Sequence, residues 1–309
     1  MPELPEVETT VLGLRKEIVG YTINDVWTDY ASSYKAHKQS IKDASYFEYF
    51  KRNTVGAVIK STSRRGKNVL VHLDNRKTIL THMKMTGHYL VGTYTFHQGE
   101  KDPWRGAENT PLSTDSFNRR IHLVFTLTKN KTEKHLALSD MRKFAKVLLV
   151  DTEKLSEVSD IKAIGPDALS SEFTYKEFKE ALHKRSKGKI KQVLLDQSLI
   201  AGIGNIYSGE MLWLARIHPE SIVSKIPEAQ LKHLYTDMQK VLINGINFGG
   251  DSMSDYRNVY GLAGDFQNRH NTYRKTGKPC AQKGCTGTIK RIVVATRSAH
   301  FCDTHQVKY

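Results

Sequence analysis

The chain has 309 residues, enough for two domains with cores of their own, and its 39% hydrophobic and 26% charged content is that of an ordinary globular protein. No apolar run reaches the roughly eighteen residues a membrane span needs, and MPELPEVETT lacks the basic and apolar regions of a secretory signal, so no membrane partner and a cytoplasmic location (nucleoid-associated in a prokaryote) are expected. Forty-seven Lys and Arg against 32 Asp and Glu give a net charge of +15, which favours a polyanion: nucleic acid first, although an anionic membrane or a ribosomal surface satisfies the same number.

Residues Pro5 to Val19 read as a short amphipathic helix, with Pro5 in the first turn, Val7, Val11, Leu14 and Ile18 on one face, and Gly20 as its stop. From Ile23 to Asp151 short β-rich segments follow, clearest at 68–73, 77–83, 88–92, 121–127, 134–140 and 146–151, a pattern that suggests a sandwich or a barrel. Residues 96–118 read as a long polar loop without periodicity. The stretch 151–169 is a connector with a Gly165-Pro166 break, and helical patterning then runs to about Asn247.

Within that helical part, an apolar helix around Ile190, Val193 and Leu194 comes with Lys187 and Lys191, and a tight AGIGN turn opens a second helix at Asn205. Glycines at 202 and 204 permit close backbone approach, and the helix start offers unpaired N–H groups to an anion. Alone this is only a turn; beside the lysines and the net charge it reads as a helix–two-turn–helix nucleic-acid element. A Gly-, Asp-, Ser- and Tyr-rich loop follows. The chain closes with Cys280-x4-Cys285, sixteen residues, then Cys302-x2-His305, two ligand pairs separated by the β-prone TIKRIVVAT. Thiolates and an imidazole in a closed set of four suit one structural Zn²⁺. His300 competes with His305 for the fourth place, and the two-residue gap from Cys302 favours His305. Arg297 lies near the hairpin tip, suited to a phosphate; taken alone it is a solvated arginine.

MPELPEVET, GNIY followed by Glu210, and the terminal cysteine hairpin, in that order, resemble the formamidopyrimidine-DNA glycosylase family, of the helix–two-turn–helix glycosylases that also include the endonuclease VIII type. The resemblance spans Pro2 to His305. It implies a two-domain α+β fold: an N-terminal β-sandwich with its helix over 1–151, a hinge over 152–169, a helix–two-turn–helix domain over 170–269 carrying a base-capping loop at about 250–268, and a zinc-finger hairpin over 270–309, with DNA in a basic cleft and a monomer as the working unit. It also implies a bifunctional glycosylase/AP lyase of base excision repair, acting on double-stranded DNA that carries oxidised bases or abasic sites.

The residues at the start of the chain suit that chemistry. Once Met1 is removed, Pro2 presents a secondary amine. A generic α-amine, with pKa near 7.7–8.0 against about 10.4 for lysine, has a roughly 300-fold larger neutral fraction at pH 7, an advantage that proline's greater basicity narrows. By resemblance, Pro2 attacks sugar C1′ to give a Schiff base, Glu3 shuttles protons, Glu6 positions the first two residues, Lys67 contacts phosphate and assists elimination, and Arg297 promotes δ-elimination. His82 faces a phosphate; Met85, Arg142 and Phe144 fill the void left by an extruded base, with Arg142 on the orphaned cytosine; Lys187, Lys191, Asn205 and Arg297 form a phosphate clamp. The opening MPELPE and the 250–268 loop resemble the purine-specific branch, so 8-oxoguanine and formamidopyrimidines are the expected substrates. The departures are x4 for the usual x2 in the first cysteine pair, His305 for a cysteine, Lys143 for an arginine, Arg120 near a position often held by histidine, GLAG in the capping loop, and a 96–118 segment longer than in many relatives. A pyrimidine-preferring relative and a non-catalytic zinc-containing DNA binder are the competing expectations.

Overall fold

The computed structural model describes residues 1–30 and 40–309, which fall into two compact units: Met1–Lys162 with Phe248–Asp265, and Ala163–Asn247 with Phe266–Tyr309. The architecture is α+β, with sheets in the first unit and helices plus a terminal hairpin in the second.

In the first unit α1 (Leu4–Ile18) starts with Pro5, whose missing N–H costs nothing there, and with a capping box between Glu3 and Glu6. Its apolar stripe, Val7, Val11, Leu14 and Ile18, is fully buried. Then come β1 (Thr22–Thr28), α2 (Ala44–Thr54), β2 (Ile59–Arg65), β3 (Asn68–Leu73), β4 (Lys77–His82), β5 (His88–Gly92), β6 (Tyr94–Phe96), β7 (Trp104–Gly106), α3 (Pro111–Thr114), β8 (Ile121–Lys129), β9 (Thr132–Ser139), β10 (Lys146–Asp151) and α4 (Ser159–Lys162). Two four-stranded antiparallel sheets, ordered β1-β8-β9-β5 and β10-β4-β3-β2, share one core, to which Val26, Phe125 and Leu138 come from one sheet and Val71, Ile79 and Val147 from the other. That is a sandwich, not a barrel.

The outer faces are covered as well. Leu70, Leu80 and Leu148 pack under Leu155, Val158 and Ile161 of the connector, and Leu90, Val124 and Ala137 pack under Tyr94, Trp104 and Leu112. Strands buried on both faces lose the alternation of a half-exposed sheet, which is why NVLVHL and KVLLV read as continuous apolar runs. Two expectations are corrected. Helix α2, capped by Asp43 through a 2.9 Å bond from the Tyr46 N–H, lies where only strands were read, because its aromatic-rich ASYFEYF favours β by propensity alone. The 96–118 segment is not structureless: it contains β7, α3 and a 3₁₀ turn over Ser116–Arg119, held by the apolar contacts of Trp104 and Leu112.

The second unit contains α5 (Tyr175–His183), α6 (Ile190–Leu195), α7 (Asn205–Leu214), α8 (Glu228–Asn247), β11 (Lys290–Val294) and β12 (Arg297–Phe301). Tyr207 to Trp213 are all buried, so α7 is the centre of this unit, consistent with its apolar composition on every side. Residues Phe248–Asp265, read in the sequence with the 170–269 region, cluster with the first unit, because Tyr256 and Val259 bury among its helix and strands. Among the described residues no helix is long and apolar enough to cross a membrane.

Candidate active site and nucleic-acid interface

At the start of the chain Pro2 and Glu3 are buried, Glu3 with only 4% exposure. The Glu3 N–H donates to Glu6 Oε2 at 2.7 Å, and the other oxygen, Oε1, accepts the Asp251 N–H at 2.7 Å. Tyr256 Oη donates to the Glu6 carbonyl at 3.0 Å. One carboxylate thus ties the chain's first residues to the loop at 248–265, where the helix N-terminus favours negative charge. Lys67 lies in the Gly66-Lys67 turn between β2 and β3 and is 8% exposed, with Gly66 supplying a φ of +57°. His82, at the end of the neighbouring strand β4, has its pKa pushed down to about 4, by burial first and then by the charges of Lys84 and Lys67. Its Nδ1 accepts the Lys84 N–H at 3.0 Å, which leaves the proton on Nε2 as a neutral donor.

Met85, Arg142 and Phe144 occupy two turns of the first unit, 83–87 and 140–145. Met85 is 39% exposed and Phe144 47%, and the Arg142 guanidinium lies 4.5 Å from the Phe144 ring centroid. The turns beneath are fixed. Asp140, fully buried, accepts from Tyr30 Oη at 3.0 Å, from the Ala145 N–H at 2.7 Å and from the Thr86 hydroxyl, while the Arg142 N–H reaches Thr86 Oγ1 at 3.1 Å. Asp140 therefore joins both turns through Thr86. Sequence reading missed it; the only signal was an aspartate beside two exposed tips. Arg120 donates to Asp102 at 2.8 Å, so its guanidinium is engaged inside its own unit.

In the second unit Asn205, Tyr273, Arg274, Arg291, Arg297 and His300 line a cavity of about 410 Å³. Three guanidiniums, those of Arg274, Arg291 and Arg297, around one hollow make a receptor for an anion. Arg297 follows a two-residue turn in which Ala295 and Thr296 both have positive φ, at +47° and +66°, a conformation that favours Gly or Asn. Backbone strain of this kind is common at ligand sites. Glu210, 1% exposed on α7, accepts five bonds from Asn271, Thr272 and Tyr273 between 2.6 and 3.1 Å and so fixes the segment that carries Tyr273 and Arg274. Two of the expected clamp residues lie elsewhere. Lys187 is exposed on the turn before α6, and Lys191 is 1% exposed, its ammonium 2.8 Å from the Asn205 carbonyl and 3.0 Å from Ser208 Oγ, strapping α6 to α7. Arg274 and Tyr273 were missed because nothing in RHNTYRKTG marks them as neighbours of the hairpin.

The sulfurs of Cys280, Cys285 and Cys302 lie within 4.8 Å of one another, Cys285 and Cys302 at 3.8 Å, so this cluster can bind a metal. Tetrahedral Zn–S bonds of about 2.3 Å put neighbouring sulfurs about 3.8 Å apart, so the donor set fits zinc. Trp213 Nε1 donates to Cys280 Sγ and the Gly287 N–H to Cys285 Sγ, both at 3.4 Å, and a Cβ on Gly287 would stand 2.6 Å from Cys302 Sγ. His305 is not grouped with the sulfurs. Its Nε2 is 2.9 Å from the Trp213 carbonyl, which makes Nε2 the donor and leaves Nδ1 as the lone-pair atom. His300 is not grouped with them either and lines the arginine cavity.

Two family models match: the formamidopyrimidine-DNA glycosylase N-terminal domain over residues 1–147 and the formamidopyrimidine-DNA glycosylase H2TH domain over 164–257. A formamidopyrimidine-DNA glycosylase of Ligilactobacillus salivarius is 33% identical over 307 residues, 99% of each chain, and one of Streptococcus mutans is 35% identical over 306 residues, again 99% of each. Among solved structures, Lactococcus lactis Fpg in complex with DNA containing an abasic site has a TM-score of 0.79 at 32% identity, and its complex with N7-benzyl-Fapy-dG DNA a TM-score of 0.80; each match covers 99% of this chain and 100% of the other.

Proposed function

The chain belongs to the formamidopyrimidine-DNA glycosylase family, and from that premise we propose that it excises oxidised purines from double-stranded DNA in base excision repair and then cleaves the strand at the resulting site. The observation that carries the reading is the clamped amino terminus. Pro2 and Glu3 are buried side by side, and the Glu6 carboxylate fixes them together with the loop that the family resemblance makes the cover of the everted base.

Removal of Met1 leaves the Pro2 nitrogen as the nucleophile. Its lone pair attacks C1′, the N-glycosidic bond breaks, and the base leaves with a proton delivered from its surroundings. The amine proton is lost as the sugar ring opens at C1′–O4′, with Glu3 protonating O4′, and the product is a cationic iminium. Loss of a C2′ proton expels the 3′ phosphate, and a second elimination expels the 5′ phosphate. Lys67 and Arg297 are the cations assigned to these departing phosphates. Met85, Arg142 and Phe144 fill the vacated stack, offsetting an unstacking cost of a few kcal/mol. His82, neutral with its proton on Nε2, donates to a phosphate oxygen. Asn205 and Arg297 bind phosphate in the cavity of the second unit. Lys191 supports that cavity through the Asn205 carbonyl, and Lys187 adds exposed positive charge.

The zinc expectation stands on the three-thiol cluster, with Cys280, Cys285 and Cys302 holding the ion and Nδ1 of His305 as the fourth donor. When bound, the ion cross-links the hairpin and does no chemistry. The protein works as a monomer. The deciding experiment is borohydride trapping with correctly trimmed protein on duplexes carrying 8-oxoguanine opposite cytosine or thymine glycol. The expected result is a covalent adduct formed first with 8-oxoguanine and lost in Pro2→Gly. Preference for thymine glycol would move the chain to the pyrimidine branch, and no adduct with either would leave a DNA-binding protein without catalysis.

A further inference from the structure

The 96–118 segment has no part in the chemistry above, yet it ends against the loop at 248–265 within the same unit. That loop is closed at its neck. The Asp265 N–H donates to the Phe248 carbonyl at 2.7 Å, and Gly264 lies so close that a Cβ there would stand 2.2 Å from the Gly250 carbonyl oxygen. Closed ends with internally packed side chains are the marks of an Ω-loop. Its crown is fastened to the segment in two places. Arg257, 8% exposed, donates through Nε to Asp115 Oδ2 at 2.6 Å, and its guanidinium lies 4.6 Å from the Phe117 ring centroid. The same side chain donates through Nη1 to the carbonyls of Ser254 and Tyr256 at 3.1 and 2.8 Å, so the ion pair also shapes the loop itself. Asn118, fully buried, donates through Nδ2 to the Gly261 carbonyl at 2.9 Å and to the Pro111 carbonyl at 2.8 Å, while its Oδ1 lies 3.0 Å from His88 Nε2. Gly261 has a φ of +78°, and a Cβ there would meet Asn118 Nδ2 at 2.6 Å.

A loop that must cover a substrate either pays the entropy of ordering when the substrate arrives or is held in advance by the rest of the protein. Here the contacts are already made without a substrate, and lifting the loop would separate Arg257 from Asp115 and break the bond from Asn118 to the Gly261 carbonyl. We infer that residues 107–119 act as a latch, with Asp115 and Asn118 as positioning residues that hold the 248–265 loop preformed over the everted oxidised base. This rests on the proposed excision reaction and adds to it the element that prearranges the cover.

The test compares two reactions of the same protein: single-turnover excision of 8-oxoguanine from duplex DNA, and strand cleavage at a preformed abasic site, which presents no base to cover. In Asp115→Asn and Asn118→Ser, excision is expected to fall about tenfold, an expectation scaled to the loss of one buried hydrogen-bonded contact. Cleavage at the abasic site is expected to stay within about twofold of wild type, amide exchange over 250–264 to quicken, and Asp115→Glu to recover most of the loss. Equal excision by variants and wild type, or a parallel fall of both reactions with exchange unchanged, overturns the latch. Should the wild-type protein cut neither duplex, the excision reading itself fails, and the exchange measurement alone then decides whether the segment orders the loop.

Discussion

The two surfaces proposed to meet DNA are built by the same device used at different range. In the first unit a buried carboxylate, Asp140, lies within four residues of the exposed Arg142 and Phe144 and fixes their turn to that of Met85 through Thr86. In the second unit Glu210 does the corresponding work from the middle of α7, reaching about sixty residues along the chain to Asn271, Thr272 and Tyr273. The difference lies in what the hub supports. Around Asp140 the tips are exposed and touch little else, so stability and function reside in different residues. Around Glu210 the arginines of the cavity, Arg274, Arg291 and Arg297, are exposed, but what backs them is interior: His300 is buried, Asn205 opens the central helix, and Lys191 is buried while supporting Asn205. Fold and binding are entangled there, and substitutions should show it.

The sharpest break would come from removing the hubs. Asp140→Ala and Glu210→Ala each strand several buried donors and are expected to destabilise their own unit by about 3 kcal/mol or more, read by urea unfolding with separate probes in the two units. A smaller loss for Asp140→Ala would mean that its turns are held by other contacts. Next in size is the hairpin. Stripping metal with a chelator, or Cys302→Ser, should weaken binding to abasic-site duplex by on the order of tenfold while leaving the melting of the first unit in place, since the thiols of Cys280, Cys285 and Cys302 are all in the second. Zinc content and fluorescence anisotropy report the two halves of that expectation.

The tips should then separate from their hub. Phe144→Ala is expected to change stability by no more than about 0.5 kcal/mol, because the ring is exposed, yet to slow excision of a base more than cleavage at an abasic site. Arg297→Ala should lower the slope of log affinity against log salt by about 0.9, the signature of one lost phosphate contact. The smallest effect concerns His82. Because burial and the neighbouring Lys84 and Lys67 depress its folded pKa to about 4, its stabilising contribution is whole above the ordinary histidine range and is lost as pH falls toward 4, where the unfolded chain binds the proton first. Its ring resonances should hold steady in an NMR titration from pH 8 down to about 5, and Lys84→Ala should raise the midpoint.

Much of this molecule was legible in its chain. The helix stripe of Val7, Val11, Leu14 and Ile18 needs only a 3.6-residue period, and most of the strands announced themselves as apolar runs between turns. Local spacing also pointed to the cluster of Cys280, Cys285 and Cys302, which can bind a metal, although His305 is not grouped with the sulfurs. Helix α2 was hidden because its aromatic residues favour strands by propensity and only the Asp43 cap and burial of Phe50 and Thr54 decide otherwise.

What the sequence determined by itself was therefore local or periodic: the amphipathic helix, the apolar strands, the glycine turn before Asn205 and the cluster of Cys280, Cys285 and Cys302. Tertiary structure alone decided that Asp140 joins two turns, that Lys191 straps two helices, that His305 turns Nε2 to the Trp213 carbonyl and that Arg257 is buried against Asp115. The physical reason is that a charged side chain carries no label for its partner. Whether a carboxylate or an ammonium is a solvated surface group or a buried hub depends on which donors the folded backbone brings within about 3 Å, often from more than a hundred residues away.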